Sequence, residues 1–128
     1  MSAKLFLGIS AILGLAYGIA FLFAPVPTGE IYGVAMSPPT IMEVRFWGAT
    51  LIGLGLIFWL VRGTTDAAVL RGLLSGFAVG NLAGLWVAIN GTIAGTMNAT
   101  GWSAVAIYAL LLAGCIVTLA RLPKRAAA

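Results

Sequence analysis

Five polar residues at the edges of long apolar stretches could together bind a small ligand. Arg45 lies about one helical turn inside such a stretch, where a charged side chain is costly and usually has a function. An inward guanidinium in surroundings of low dielectric constant needs an anionic or carbonyl partner. Glu30, Glu43 or a ligand headgroup would supply that partner, with Tyr32 and Asn98 beside them. We therefore predict a ligand-binding site formed by these five residues.

Arg45 and Glu43 also have ordinary structural explanations. Arg45 could extend its guanidinium outward to lipid headgroups while its apolar stem stays in the membrane. The segment Thr40-Ile41-Met42-Glu43 fits a capping box, in which the threonine oxygen accepts from the Glu43 amide and the carboxylate reaches back to the Thr40 amide. Both alternatives stay open at the level of the sequence.

The residue types that most reactions need are missing. The chain has no histidine and one cysteine, Cys115, which excludes bis-histidine haem ligation, a Cys-x-x-Cys redox pair and an internal disulfide. No serine, threonine or cysteine has a histidine to activate it. Asn81, the one strongly polar side chain near the middle of an apolar stretch, either lines a pathway or bonds to a neighbouring helix. We predict no metal and no cofactor, and we favour a protein that is not an enzyme.

The composition predicts a membrane protein. Of 128 residues, 62% are hydrophobic and 8% are charged, whereas a soluble domain carries about a quarter charged residues. A membrane helix needs roughly 20 mostly apolar residues. Prolines bound the first two such stretches, and a polar segment over 90–101 divides a long uncharged stretch into two more. We predict an all-α four-helix transmembrane bundle in a single domain, residues 1–128, with helices at about 5–23, 43–61, 71–89 and 102–120.

The basic residues predict how this bundle is oriented. If the helices alternate in direction, six of the seven fall on one side of the membrane: Lys4, Arg62, Arg71, Arg121, Lys124 and Arg125. Because basic loops stay on the cytoplasmic side, we expect both termini to be cytoplasmic and loops 24–42 and 90–101 to face the opposite side. We expect the first helix to be retained, since its apolar run is longer than that of a cleaved signal peptide. The predicted location is the cell inner (plasma) membrane, which the chain crosses several times.

Glycine recurs at every fourth position of the third predicted helix. The stripe consists of Gly72, Gly76, Gly80 and Gly84. Small residues at this spacing let helix backbones approach closely in a membrane, where packing replaces the hydrophobic drive. The first helix offers Gly14 and Gly18 at the same spacing, and we expect them to form the complementary surface. The stripe packs either inside one four-helix monomer or between copies of the chain.

Short motifs along nearly the whole chain resemble a known class of proteins. The motifs are Ala24-Pro25, Ile31-Tyr32-Gly33, Arg45-Phe46-Trp47-Gly48, Gly53-Leu54-Gly55-Leu56 and Met97-Asn98-Ala99-Thr100-Gly101-Trp102-Ser103. Together they resemble a class of uncharacterised small four-helix bacterial inner-membrane proteins, which is loosely similar to the DoxX-like group. The resemblance implies the fold and the compartment, and it implies no particular activity.

Two functions fit these observations. The first is a non-enzymatic integral membrane protein, either an accessory subunit or a binder of a small apolar or lipid-like ligand in an outward-facing pocket beneath loop 24–42. The alternative is an oligomeric small channel or transporter that uses the glycine-rich third helix, with Asn81 near the pathway. The expected partners are the lipid bilayer and either a homo-oligomer or a larger membrane complex, and no nucleic acid is expected.

Overall fold

A computed structural model describes residues 2–123 of the chain. Within those residues it contains five helices and no strand: α1 (Ala3–Phe23), α2 (Pro25–Ile31), α3 (Pro38–Val61), α4 (Ala67–Ile93) and α5 (Gly101–Arg121). All except the short α2 are long and apolar enough to cross a membrane. The predicted fold class, an all-helical protein with four membrane-spanning helices, is confirmed.

The start of α3 differs from the prediction. The helix begins at Pro38 because a proline in the first helical turn has no amide hydrogen to lose and already has a helical φ angle. Its N-cap is Ser37, whose Oγ lies 3.4 Å from the Thr40 amide nitrogen and 2.8 Å from the Thr40 hydroxyl. Thr40 is thus already helical, and the predicted capping box of Thr40 and Glu43 is wrong.

The helix α4 also begins earlier than the sequence predicts. The Asp66 carboxylate accepts hydrogen bonds from the amides of Ala68 and Val69, at 2.8 and 3.2 Å. This cap satisfies two of the amides that a helix start leaves without partners, so the helix begins at Ala67 and includes Arg71 in its second turn.

The first and third helices pack backbone against backbone. A Cβ added at Gly48 would lie 2.8 Å from the Gly18 carbonyl oxygen and 2.6 Å from the Leu22 nitrogen. A Cβ added at Gly55 would lie 3.0 Å from the Ala11 carbonyl oxygen. The predicted close contact at Gly14 and Gly18 is present, but their partner is α3 and not the glycine-rich α4.

The glycine stripe of α4 is only partly used inside the chain. Gly84 lies directly under the ring of Tyr108 from α5, whereas a Cβ added at Gly72, Gly76 or Gly80 would meet nothing within 4 Å. Of the two predicted alternatives, packing inside the monomer is therefore present at Gly84 and is not observed at the other three glycines. The reason is geometric: residues spaced by four rotate about 40° per step around a helix, so Gly84 faces about 120° away from Gly72.

The loops define two ends of the bundle. The inner end holds the start of α1, loop 62–66 and the end of α5, and the outer end holds α2 and loop 94–100. At the inner end the Arg71 guanidinium donates a hydrogen bond to the Leu122 carbonyl oxygen at 3.2 Å, which joins α4 to the end of α5.

An aromatic core joins the helices in the inner half. The ring centroids of Phe58 and Phe77 are 4.5 Å apart in an edge-to-face arrangement, and those of Phe6 and Phe77 are 6.4 Å apart. The Phe6 ring also lies against Gly114, so α1, α3, α4 and α5 all meet here. The outer half holds smaller buried residues, among them Gly18, Gly48, Ala88 and Gly101.

The charged residues divide between the two ends as the sequence predicts. Among residues 2–123, the inner end holds Lys4, Arg62, Asp66, Arg71 and Arg121, and the outer end holds Glu30, Glu43 and Arg45. Lys124 and Arg125 lie outside the described residues. The side of the membrane that each end faces stays a prediction.

Candidate functional site

The short helix α2 and the loop after it cover the outer end. Pro25 occupies the first turn of α2, and the Thr28 hydroxyl donates to the Ala24 carbonyl oxygen at 2.6 Å, which fixes the bend after α1. The loop then folds back so that the Met36 side chain lies against Gly29, which is buried. The segment therefore lies on the bundle, as its mixture of apolar residues, Pro and Gly predicts.

Asn98 ties the two outer loops together. Its backbone amide donates to the Tyr32 carbonyl oxygen at 2.8 Å, and its side-chain nitrogen donates to the Ile31 carbonyl oxygen at 3.1 Å. Its side-chain oxygen accepts from the Thr100 amide at 2.9 Å. Gly33 adopts a φ of 71° at the point of contact, a conformation that favours glycine. Asn98, predicted as a ligand-binding residue, thus has its amide group engaged in a link that we call the Asn98 latch.

Beneath this latch the three tyrosines of the chain converge. The hydroxyl oxygens of Tyr17 and Tyr32 are 3.2 Å apart and share a hydrogen bond. Tyr108 is close enough to interact electrostatically with both of them. Each of the three side chains is half-buried, and Gly84 leaves the space that the Tyr108 ring fills. We call these three residues the tyrosine cluster.

The tyrosine cluster has hydrogen-bonding capacity to spare. Each hydroxyl carries one hydrogen, and the bond between Tyr17 and Tyr32 uses only one of the two hydrogens available there. Within residues 2–123 the Tyr108 hydroxyl makes no hydrogen bond. Two donor hydrogens of the tyrosine cluster therefore have no acceptor within residues 2–123.

The charged residues of the predicted site lie outside this cluster. Arg45, Glu30 and Glu43 are exposed, and within residues 2–123 no ion pair joins Arg45 to either glutamate. The expected inward orientation of Arg45 is not observed. Of the five residues predicted to form the site, the structure brings together Tyr32 and Asn98, and a ligand-binding role for the other three stays a prediction.

Asn81 is buried, with 2% of its side chain exposed. Its amide nitrogen donates to the Phe77 carbonyl oxygen at 2.7 Å, one turn earlier in α4. Of the two predicted alternatives, a bond to a neighbouring helix is not observed, and the bond lies within α4. A place for Asn81 near a pathway stays a prediction.

The inner end of the bundle has a cation–π contact and a surface cavity. The Arg62 guanidinium lies 3.4 Å above the ring of Trp59, an arrangement that favours a cation over the face of the indole. A surface cavity of about 420 Å³ also lies at this end and not beneath loop 24–42.

Sequence reasoning missed Tyr17 and Tyr108 because each looks like an isolated aromatic residue on an apolar helix. A comparison of how far each tyrosine lies from the outer end of its helix would have identified both residues. Tyr17 lies six residues before the end of α1 and Tyr108 seven residues after the start of α5. At 1.5 Å per residue they are about 9 Å and about 10.5 Å from the outer ends of their helices. Two tyrosines at equal depth on different helices can meet.

No family model, no curated protein and no solved structure matches this chain.

Proposed function

We propose that the protein is a non-enzymatic membrane protein that binds a small amphiphilic ligand at the tyrosine cluster. The ligand has an apolar body and a hydrogen-bond acceptor, such as a carbonyl or carboxylate group, at its head. The two unused donor hydrogens of the tyrosine cluster carry this proposal, because half-buried hydroxyl groups in apolar surroundings are stabilised by an acceptor.

The surroundings of the tyrosine cluster suit such a ligand. The buried residues between the helices are small in the outer half, whereas large aromatic side chains fill the inner half. The Asn98 latch is a pair of hydrogen bonds between loops, which can open without disturbing the aromatic core. We propose that the ligand enters from the outer side when this latch opens.

Photolabelling with a diazirine-bearing fatty acid tests the proposal. The purified protein in detergent is labelled and digested, and labelled peptides are identified by mass spectrometry. We expect label on the outer halves of α1 and α5. Tyr17→Phe and Tyr108→Phe keep the aromatic rings, but each removes a hydrogen-bond donor that contributes about 1 kcal/mol to the binding free energy. Labelling of the outer halves of α1 and α5 should therefore fall about fivefold in each variant.

Thr50→Val is the matched control. It also removes one hydroxyl, but from an exposed position on α3 where Thr50 donates to the Phe46 carbonyl oxygen at 3.0 Å. Labelling should not change in this variant. Equal labelling of the tyrosine variants and the unmodified chain, or label spread evenly over the lipid-facing surface, would show that the tyrosine cluster is not a ligand site.

A second candidate function is an oligomeric channel or transporter. The observation that favours it is the outward face of α4, where Gly72, Gly76 and Gly80 have no neighbour within 4 Å in the chain. Small residues at four-residue spacing are typical of contacts between membrane helices. Light scattering of the protein in detergent gives its mass. An oligomer that Gly76→Leu dissociates would favour this function, and a monomer would exclude it, because a monomer of this size can hardly line an aqueous pore.

The proposal also includes the compartment. The division of charge between the two ends supports an orientation with the inner end in the cytoplasm. The sequence motifs that resemble small bacterial four-helix proteins support a bacterial inner membrane.

A further inference from the structure

A second candidate site lies at the inner end, far from the tyrosine cluster. The surface cavity of about 420 Å³ opens between the start of α1 and the end of α5, and it is lined by Ser2, Ala3, Thr118, Arg121 and Leu122. Small-molecule sites typically have volumes of about 300–1,000 Å³. The cavity is therefore large enough for a small polar group.

Thr118 differs from four other polar side chains of the spanning helices. Thr50, Asn81, Asn90 and Thr92 each donate to the carbonyl oxygen four residues earlier, at 2.7 to 3.0 Å. Thr118 is 2% exposed, and its Oγ1 makes no hydrogen bond within residues 2–123. An unpaired buried hydroxyl costs free energy, so a ligand in the cavity that Thr118 lines would recover that loss.

The rest of the cavity provides positive charge. Arg121 lines it from the last turn of α5. The start of α1 contributes the positive end of a helix dipole, and the Ser2 hydroxyl accepts only from the Leu5 amide, at 3.3 Å. The earlier amides of Ala3 and Lys4 have no carbonyl acceptor within the helix. A guanidinium group, free backbone amides and a hydroxyl are the groups that recognise phosphate.

We propose that this cavity binds a phosphate group. Its place at the end of two spanning helices puts it at the depth of lipid headgroups, so an anionic phospholipid is the favoured source and free phosphate the other. The proposal does not depend on the function suggested for the tyrosine cluster, and it concerns the opposite end of the molecule.

Native mass spectrometry of the delipidated protein in detergent provides the test. The protein is titrated with phosphatidylglycerol and, separately, with phosphatidylcholine. We expect phosphatidylglycerol to bind more tightly. Arg121→Gln should weaken its binding about tenfold, as the loss of a charge-assisted hydrogen bond does, and Thr118→Val should weaken it about threefold to fivefold. Competition by millimolar inorganic phosphate distinguishes the two sources of the phosphate group. Inorganic phosphate should displace bound phosphatidylglycerol from a site for free phosphate, whereas a site for lipid headgroups should retain the bound lipid.

Two control variants separate binding from folding and from bulk charge. Ser10→Ala removes the other buried hydroxyl without a partner, at a position that does not line the cavity, so lipid binding should stay unchanged. Arg62→Gln makes the same charge change on a side chain that lies over Trp59 and does not line the cavity, so it should also have no effect. Thr118→Val should keep or raise the melting temperature while binding falls. The proposal is overturned if Arg121→Gln binds phosphatidylglycerol like the unmodified chain, or if Arg62→Gln weakens binding equally.

Discussion

Replacing Gly48 by alanine tests the packing of α1 against α3 with a single methyl group. The new Cβ would lie 2.6 Å from the Leu22 nitrogen and 2.8 Å from the Gly18 carbonyl oxygen. Both are backbone atoms, which cannot rotate away as the end of a side chain can. Ordinary contact at a Cβ begins near 3.4 Å, so the two helices must separate by about 0.8 Å.

The magnitude follows from that separation. A gap of about 0.5–1 Å removes a quarter to a half of the dispersion energy of each contact pair along the interface. Overpacking of this kind typically costs about 1–3 kcal/mol, while alanine gains up to about 1 kcal/mol over glycine in helix propensity. We therefore expect Gly48→Ala to lower the free energy of unfolding by about 1–2 kcal/mol.

Equilibrium unfolding in mixed micelles, with sodium dodecyl sulfate as the denaturant, measures this loss. Gly80→Ala is the control, because its Cβ would meet nothing within 4 Å and the helix-propensity gain remains. The variant should be as stable as the unmodified chain or slightly more stable. The reasoning is refuted if Gly48→Ala unfolds at the same detergent fraction as the unmodified chain, or if both variants lose the same stability.

Three further predictions address topology, the Asn98 latch and the core. Cysteines introduced at Ser37 and Thr65 should react with membrane-impermeant reagents from opposite faces, with Ser37 labelled from outside; labelling from one face would contradict the alternating topology. Asn98→Ala removes the side-chain hydrogen bonds to Ile31 and to loop 94–100, which lowers the local stability by about 1–2 kcal/mol. The backbone amides of residues 31–37 should then exchange faster in hydrogen-exchange mass spectrometry. Unchanged exchange would mean that the Asn98 latch does not hold the loop. Cys115, with 0% exposure, should resist maleimide until the protein unfolds, and rapid labelling in mild detergent would show that the inner core opens.

Hydropathy and the positions of the prolines were enough to predict the four spans, because each span is a long apolar segment of the length that crosses a membrane. The helix starts were less predictable. A proline disrupts the interior of a helix but is favoured in its first turn. Pro25 and Pro38, which the sequence predicts as boundaries of the apolar stretches, each begin a helix. The sequence pattern alone does not distinguish the two positions.

The helix contacts and the candidate site depended on information that a pattern lacks. The α3 contact glycines, Gly48 and Gly55, are seven residues apart and less conspicuous than an unbroken four-residue stripe, yet they pack against the backbone of α1. Tyr17 and Tyr108 come close enough to interact electrostatically only after α1 and α5 are placed in the fold. Local spacing identifies small or polar residues, and tertiary packing decides which of them face one another.

The aromatic core also has a consequence for how the chain assembles. The closest packing occurs between consecutive spans, α1 with α3 and α4 with α5, and each pair forms a helical hairpin. A hairpin can enter the bilayer with its main contacts already made, because those contacts lie close together in sequence. The rings of Phe58 and Phe77 come from different hairpins, so their contact forms only when the hairpins dock. Insertion is therefore expected to proceed by two local steps, with the aromatic core completed last.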